Sequence, residues 1–223
     1  MELDWSVIPD YFDLFMEGAG VTLVISLLAI GLGFLGGIFF GLGRISSNKV
    51  VYALTTVYVE IFRGTPLLIQ ILIIYFGLPS LGIQFSVFGA GVLALALNSA
   101  AYQAEIFRGG MQSIPSGQME AARSMGLTYN QSMLHVIIPQ GLRNAIPPFT
   151  NEFIIMIKDS SLVSAIGLFE LTYTGEGIIG TTFQPFVVYL FIAAIYFVMT
   201  FTTALIMKRV EKKYSIPGTM GGI

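Results

Sequence analysis

The chain has no cysteine, a single histidine and a single tryptophan, and only 11% of its 223 residues are charged. Each shortage removes a class of chemistry. Without cysteine there is no disulfide framework, no thiolate nucleophile and no cysteine-based metal site. His135 has none of the nearby companions that a metal site or a Ser-His pair requires, so no catalytic centre and no metal are expected. No lysine follows a glycine, which excludes the Gly-Lys-Ser/Thr core of a phosphate-binding loop. Residues 1–18, MELDWSVIPDYFDLFMEG, contain no Lys or Arg, the wrong opening for a secretory signal with its basic n-region, so the first apolar segment is expected to be retained.

What is present is apolar. Hydrophobic residues make up 55% of the chain, whereas an ordinary soluble domain carries about a quarter charged residues. The composition predicts an all-α integral membrane protein with one transmembrane domain over residues 1–223. A spanning helix needs roughly 20 apolar residues to cross a hydrocarbon core of about 30 Å. Charge-free runs then place five spans at about 18–43, 56–76, 86–107, 143–165 and 186–207. The second and third are separated by a Gly/Pro turn, GLPSLGIQ (77–84). The fourth is interrupted by Glu152, Lys158 and Asp159 and is counted as a span with a polar inner face. Pro147 and Pro148 are expected to kink its start.

Charge placement orients the spans. Residues 1–17 hold five acids and no base, the 77–84 turn is uncharged, and 159–186 holds three acids and no base. Ten of the eleven basic residues fall on the opposite side, Lys158 being the exception. By the positive-inside rule the N-terminus lies outside and the C-terminus is cytoplasmic. Trp5, Tyr11, Phe12 and Phe15 suit a short helix at the outer interface. YTGEGIIG (173–180) reads as a Gly-rich outer loop, and Gly33, Gly37 and Gly41 form a stripe for close helix packing, either within the chain or at a dimer seam.

The longest cytoplasmic loop, 115–140, is mild enough to form a helical hairpin. Ser116 is expected to N-cap its first helix, Gly126 to break it, and Pro139 to end the second. Within it, Glu120-Ala121-Ala122, three residues, Gly126, nine residues, Val136, one residue and Ile138-Pro139 follow a fixed spacing. This resembles the EAA loop, E-A-A-x3-G-x9-I-x-L-P, of the membrane subunits of bacterial ATP-binding cassette importers, with Val136 and Ile138 replacing Ile and Leu by apolar equivalents. VEIFRGTPLLIQ (59–70), NSAAYQAEIFRGG (98–110), IPSGQMEAA (114–122), LRNAIPPFTNEF (142–153) and IKDSSLVSAIG (157–167) extend the resemblance to the polar amino acid branch, the histidine and glutamine type of permease.

The resemblance implies a prokaryotic plasma-membrane location and an amino acid substrate. It implies two permease copies or paralogues, a cytoplasmic ATPase dimer that binds ATP and Mg, and an extracytoplasmic binding protein; surrounding lipid is the other partner, and no nucleic acid is expected. It also implies that Glu120, Ala121, Ala122, Arg123, Gly126 and Pro139 form the ATPase-coupling surface.

Ionisable and amide groups inside spans are costly and mark candidate sites. Glu152, Met156 and Asp159 share one helical stripe, and Asn98, Tyr102 and Glu105 share another, with Glu105 placed to pair with Arg108 and Glu60 with Arg63. An amino acid needs acceptors for its ammonium and donors for its carboxylate. Glu152, Asn98, Thr65, Gln70, Tyr102 and Asp159 are the candidates. The competing reading is that these groups tie helices together by hydrogen bonds. A rival function is a self-sufficient secondary transporter driven by protons through Glu152 and Asp159, although five spans without an internal repeat speak against it.

Overall fold

The computed structural model describes residues 3–214, and among these there is no strand. A short helix α1 (Val7–Asp10) leads into α2 (Phe12–Arg44), whose 33 residues are the longest helix. It begins six residues before the span read from hydropathy. Phe15, expected at the membrane interface, is instead fully buried and meets the ring of Phe191 edge-on at 4.9 Å. Trp5 remains exposed.

The glycine stripe of α2 lies against α5 (Val87–Gln112) of the same chain, the most extensive helix pair in the fold. Gly33 faces Ser99, Gly37 faces Gln103 and Gly41 faces Phe107; a methyl group on Gly37 would come within 2.6 Å of the Gln103 Cβ. Small residues let the two backbones approach where side chains would hold them apart. The stripe is therefore intrachain packing.

Between these helices the chain makes α3 (Lys49–Gly64), capped by Asn48, whose side chain accepts the N–H groups of Val50 and Val51. α3 stops at Gly64, and α4 (Leu67–Leu72) starts after Pro66, continuing through a π turn (Ile73–Gly77) and a 3-10 turn (Leu78–Leu81). The second expected span, 56–76, is not one helix: the chain bends by 106° at this point. Pro66 has no N–H and forces Thr65 into the extended conformation observed there, φ −117° and ψ 146°.

After α5 comes α6 (Ser116–Ser124). Pro115, not Ser116, occupies the cap position, and no side chain caps this helix. Gly126, at φ +90°, ends it: the Leu127 N–H bonds the Ala122 carbonyl and the Gly126 N–H that of Arg123, a Schellman closure. Thr128 and Gln131 then form a reciprocal capping box that starts α7 (Tyr129–Ser132). A π turn (Met133–Ile137) joins it to α8 (Ile138–Asp159). Pro139 thus opens α8 and ends nothing: it follows directly on the π turn, where the regular i to i−4 ladder is already interrupted. Pro147 and Pro148 lie inside α8 without interrupting it, and the Thr150 hydroxyl donates to the Pro147 carbonyl at 2.7 Å.

A 3-10 segment (Ser160–Ile166) and Gly167, at φ +80°, turn the chain into α9 (Leu171–Thr182). YTGEGIIG is therefore helix, not loop. Leu171, Gly175 and Ile178 bury one face of it, and Gly175 gives room to Ile192 of α10 (Pro185–Tyr214). Glu170, with no exposed surface, caps it by accepting the Tyr173 N–H, and also accepts hydroxyls from Thr22 and Tyr196. Burial pushes its carboxyl above the ordinary carboxylate range, against the effect of those hydrogen bonds.

α2, α5 and α10 are each long and apolar enough to cross a membrane, and the bent α3–α4 pair makes a fourth span if it crosses as one.

Candidate functional sites: a polar pocket and an exposed hairpin

The break between α3 and α4 opens a pocket of about 480 Å³ against α5 and α8. It brings together Thr65, Asn98, Tyr102, Glu152 and Asp159, five of the six substrate candidates named from sequence. Gln70 does not line it. Its amide nitrogen sits 2.8 Å from the Phe62 carbonyl, 3.0 Å from the Thr65 carbonyl and 2.9 Å from the Thr65 hydroxyl, while its oxygen accepts from Asn98 at 3.0 Å. Gln70 thus satisfies carbonyls that the bend released and fixes the wall from which Asn98 and Thr65 project. Asn98 also donates to the Phe62 carbonyl at 3.2 Å, so its amide nitrogen is committed to that wall.

Glu152 is buried and accepts from the Ser99 hydroxyl at 3.4 Å; Ser99 in turn accepts from Gln103 at 2.8 Å. Met156, between Glu152 and Asp159 on the same stripe, is buried in the apolar core.

The charged pocket residue absent from the sequence-derived set is Arg63. Its guanidinium lies over the Tyr102 ring at 5.5 Å and is 4.0 Å from Glu105. The expected Glu60–Arg63 pair does not form; Glu60 meets Arg44 at 3.4 Å instead. Glu105 pairs with Arg108, as expected, and accepts from Arg44 at 3.2 Å. Glu105 is thereby shared among stronger partners, which leaves Arg63 the least committed cation of the group. The signal in the sequence was the Arg-Gly-Thr-Pro run: a helix break inside an apolar stretch is tolerated where it lines a cavity, and the charge beside it faces that cavity.

The hairpin forms the second site. Glu120, Ala121, Arg123, Gly126 and Pro139 are exposed, while Ala122 is buried. The two apolar motif positions, Val136 and Ile138, pack against the cluster of Phe107, Met111 and Ile137 and so hold the hairpin onto the end of α5. Its surface also carries Met125, 84% exposed, with Tyr129 and Leu134 exposed nearby in sequence. These were not named from sequence, because apolar residues in an apolar chain give no contrast until the hairpin is seen projecting from the bundle.

A bundle of long helices with one sharply bent helix pair, and an exposed hairpin at the EAA spacing, defines a transport permease. Residues 33–216 match the family described as a binding-protein-dependent transport system inner membrane component, and the chain belongs to that family. It is 39% identical over 213 residues to the probable glutamine ABC transporter permease protein GlnM of Bacillus subtilis, covering 94% of this chain and 99% of the relative. It is 37% identical over 218 residues to the glutamine transport system permease protein GlnP of Escherichia coli K12, covering 97% and 100%. Among solved structures it superposes on an amino acid ABC transporter crystallised with histidines, with TM-score 0.91, 45% identity and 96% and 100% coverage. An inward-facing MetNI methionine transporter shares the fold, with TM-score 0.79 at 22% identity.

The chain is accordingly the membrane permease subunit of an ATP-driven importer, a pore component and not itself an enzyme. Nucleotide binding belongs to a partner ATPase, and the family works with an ATPase and a substrate-binding protein. The self-driven secondary transporter finds no support among these relatives.

Proposed function

We propose that this subunit imports a polar amino acid across a prokaryotic plasma membrane, crossing it five times with the N-terminus outside and the C-terminus in the cytoplasm. The observation that supports the substrate class is the two-signed pocket. Arg63 offers a guanidinium to an α-carboxylate, Glu152 and Asp159 offer acceptors to an ammonium, and Thr65 and Tyr102 add hydroxyls between them. Glutamine is transported by named relatives, which makes it the first substrate to test.

Two such subunits, identical or paralogous, would enclose the path, each resting its hairpin on one ATPase. Glu120, Ala121, Ala122, Arg123, Gly126 and Pro139 shape that hairpin, and the exposed Met125 is its anchor, an apolar side chain that water leaves uncompensated until a partner groove receives it. Closure of the ATPases around ATP would draw the hairpins together and tilt the bundles toward the outside; hydrolysis would reset them.

The test is ATP-driven uptake into proteoliposomes holding the full transporter, with neutral and cationic polar amino acids compared. Met125→Asp and Gly126→Val should each lower uptake at least tenfold and release the ATPase in a pull-down, with the permease still inserted. Undiminished uptake in both would move the docking surface elsewhere.

A further inference from the structure

We propose that the chain carries a phospholipid site, with an acyl chain in the groove between α2, α8 and α10 and an anionic headgroup on Arg209 and Lys213. The groove encloses about 470 Å³ and is open on one side. Leu23, Leu27 and Ile30 form one wall, Phe153 and Ile157 the floor, and Val198 to Met207 of α10 the other wall. It offers little to a polar solute: the Ser26 hydroxyl bonds the Thr22 carbonyl at 2.7 Å and the Thr203 hydroxyl the Met199 carbonyl at 2.8 Å, each within its own helix, which leaves Thr202 as the one other hydroxyl in an apolar lining. Leu27 and Val198 remain more than half exposed on its rim. α10 is the least covered spanning helix, only 6% of its apolar window being buried by the rest of the chain.

The occupant is indicated by charge. Val198, Thr202 and Ile206 lie on one stripe of α10, and the same stripe continues at helical spacing into Arg209 and Lys213. Residues 208–214 hold four basic residues and one acid. That acid, Glu211, is engaged by α8, where its carboxylate meets the Thr150 hydroxyl. Basic residues directly beyond a span attract anionic lipid headgroups. A second copy is the less suitable cover: a two-fold axis along the membrane normal that paired two such grooves would also bring their Arg209–Lys213 ends together, like charge against like.

The experiment titrates the purified, delipidated full-length chain with phosphatidylglycerol, or with phosphatidylcholine of the same acyl chains, and counts retained lipid by native mass spectrometry. One phosphatidylglycerol per chain should resist removal under conditions that strip phosphatidylcholine. The double variant Arg209→Gln, Lys213→Gln should bind it about 30-fold more weakly, as expected for two cations near a lipid surface. Thr202→Trp, which fills the groove, should lose it; circular dichroism of both variants should match the parent. Equal retention of the two lipids, or unchanged phosphatidylglycerol affinity in Thr202→Trp, would overturn the site. So would a dimer mass in place of the lipid that Thr202→Trp dissociates, which would give the groove to a second copy.

Discussion

At the scale of single residues, glycine decides how closely the bundle packs. Of the α2 glycines, Gly37 meets Gln103 so tightly that an added Cβ would also stand 3.2 Å from the Gln103 carbonyl carbon, whereas Gly31 has nothing within 4 Å. The same substitution should therefore have opposite consequences one helical face apart. Gly37→Ala should destabilise by about 1–3 kcal/mol through overpacking against backbone that cannot yield. Gly31→Ala should be neutral or gain up to about 1 kcal/mol from helix propensity. Thermal unfolding midpoints in one detergent, compared with the parent, separate the two; a fall of the same size in both would mean that the α2–α5 contact is not as close as the structure has it. The spacing of these glycines was visible in the sequence, but their partner was not. Only the fold shows that Ser99, Gln103 and Phe107 face them, which assigns the stripe to the chain's own interior.

At the scale of elements, the legible features were those carried by local spacing and the hidden ones those set by remote partners. The hairpin followed from the run between Glu120 and Pro139, and its breaker, Gly126, does adopt the left-handed conformation. α9 was missed because the glycines of YTGEGIIG look like a loop until Glu170 caps it and Gly175 accommodates Ile192. The α3–α4 bend was hidden in a continuous apolar run, although Gly64 and Pro66 mark it. Its stability rests on Gln70, the donor for the Phe62 and Thr65 carbonyls. Gln70→Leu keeps the bulk but takes the donor from the Thr65 carbonyl and the acceptor from the buried Asn98 amide, at about 1–3 kcal/mol for a buried group left unmet, while the Phe62 carbonyl keeps its bond from Asn98. The variant should unfold at lower temperature and lose uptake, since the wall bearing Asn98 and Thr65 loses its brace. Thr65→Ala removes one acceptor and should be milder on both counts. Full uptake by Gln70→Leu would show that the bend holds without its amide.

At the scale of the whole molecule, the number of crossings turns on α8. Its 22 residues are long enough, at about 1.5 Å each, to span a core of about 30 Å. Arg143, Asn144 and Glu152 lower its hydropathy, so it falls outside the helices that qualify on length and composition. A polar face is no obstacle to crossing when it is turned inward, and Glu152 is buried against Ser99 of α5 while Asp159 faces the pocket. The absence of cysteine makes this directly testable, because any introduced thiol is the only one in the chain. Ser80→Cys, in the turn after α4, and Phe169→Cys, beyond α8, should react with a membrane-impermeant maleimide on intact cells. Lys49→Cys and Ser124→Cys should react only after the membrane is opened; all four positions are exposed. The pair Ser124 and Phe169 isolates α8: opposite accessibility requires it to cross, and with α2, α5, α10 and the bent pair that makes five spans. Equal accessibility would keep α8 on one side and leave Glu152 without a membrane-embedded pocket to serve.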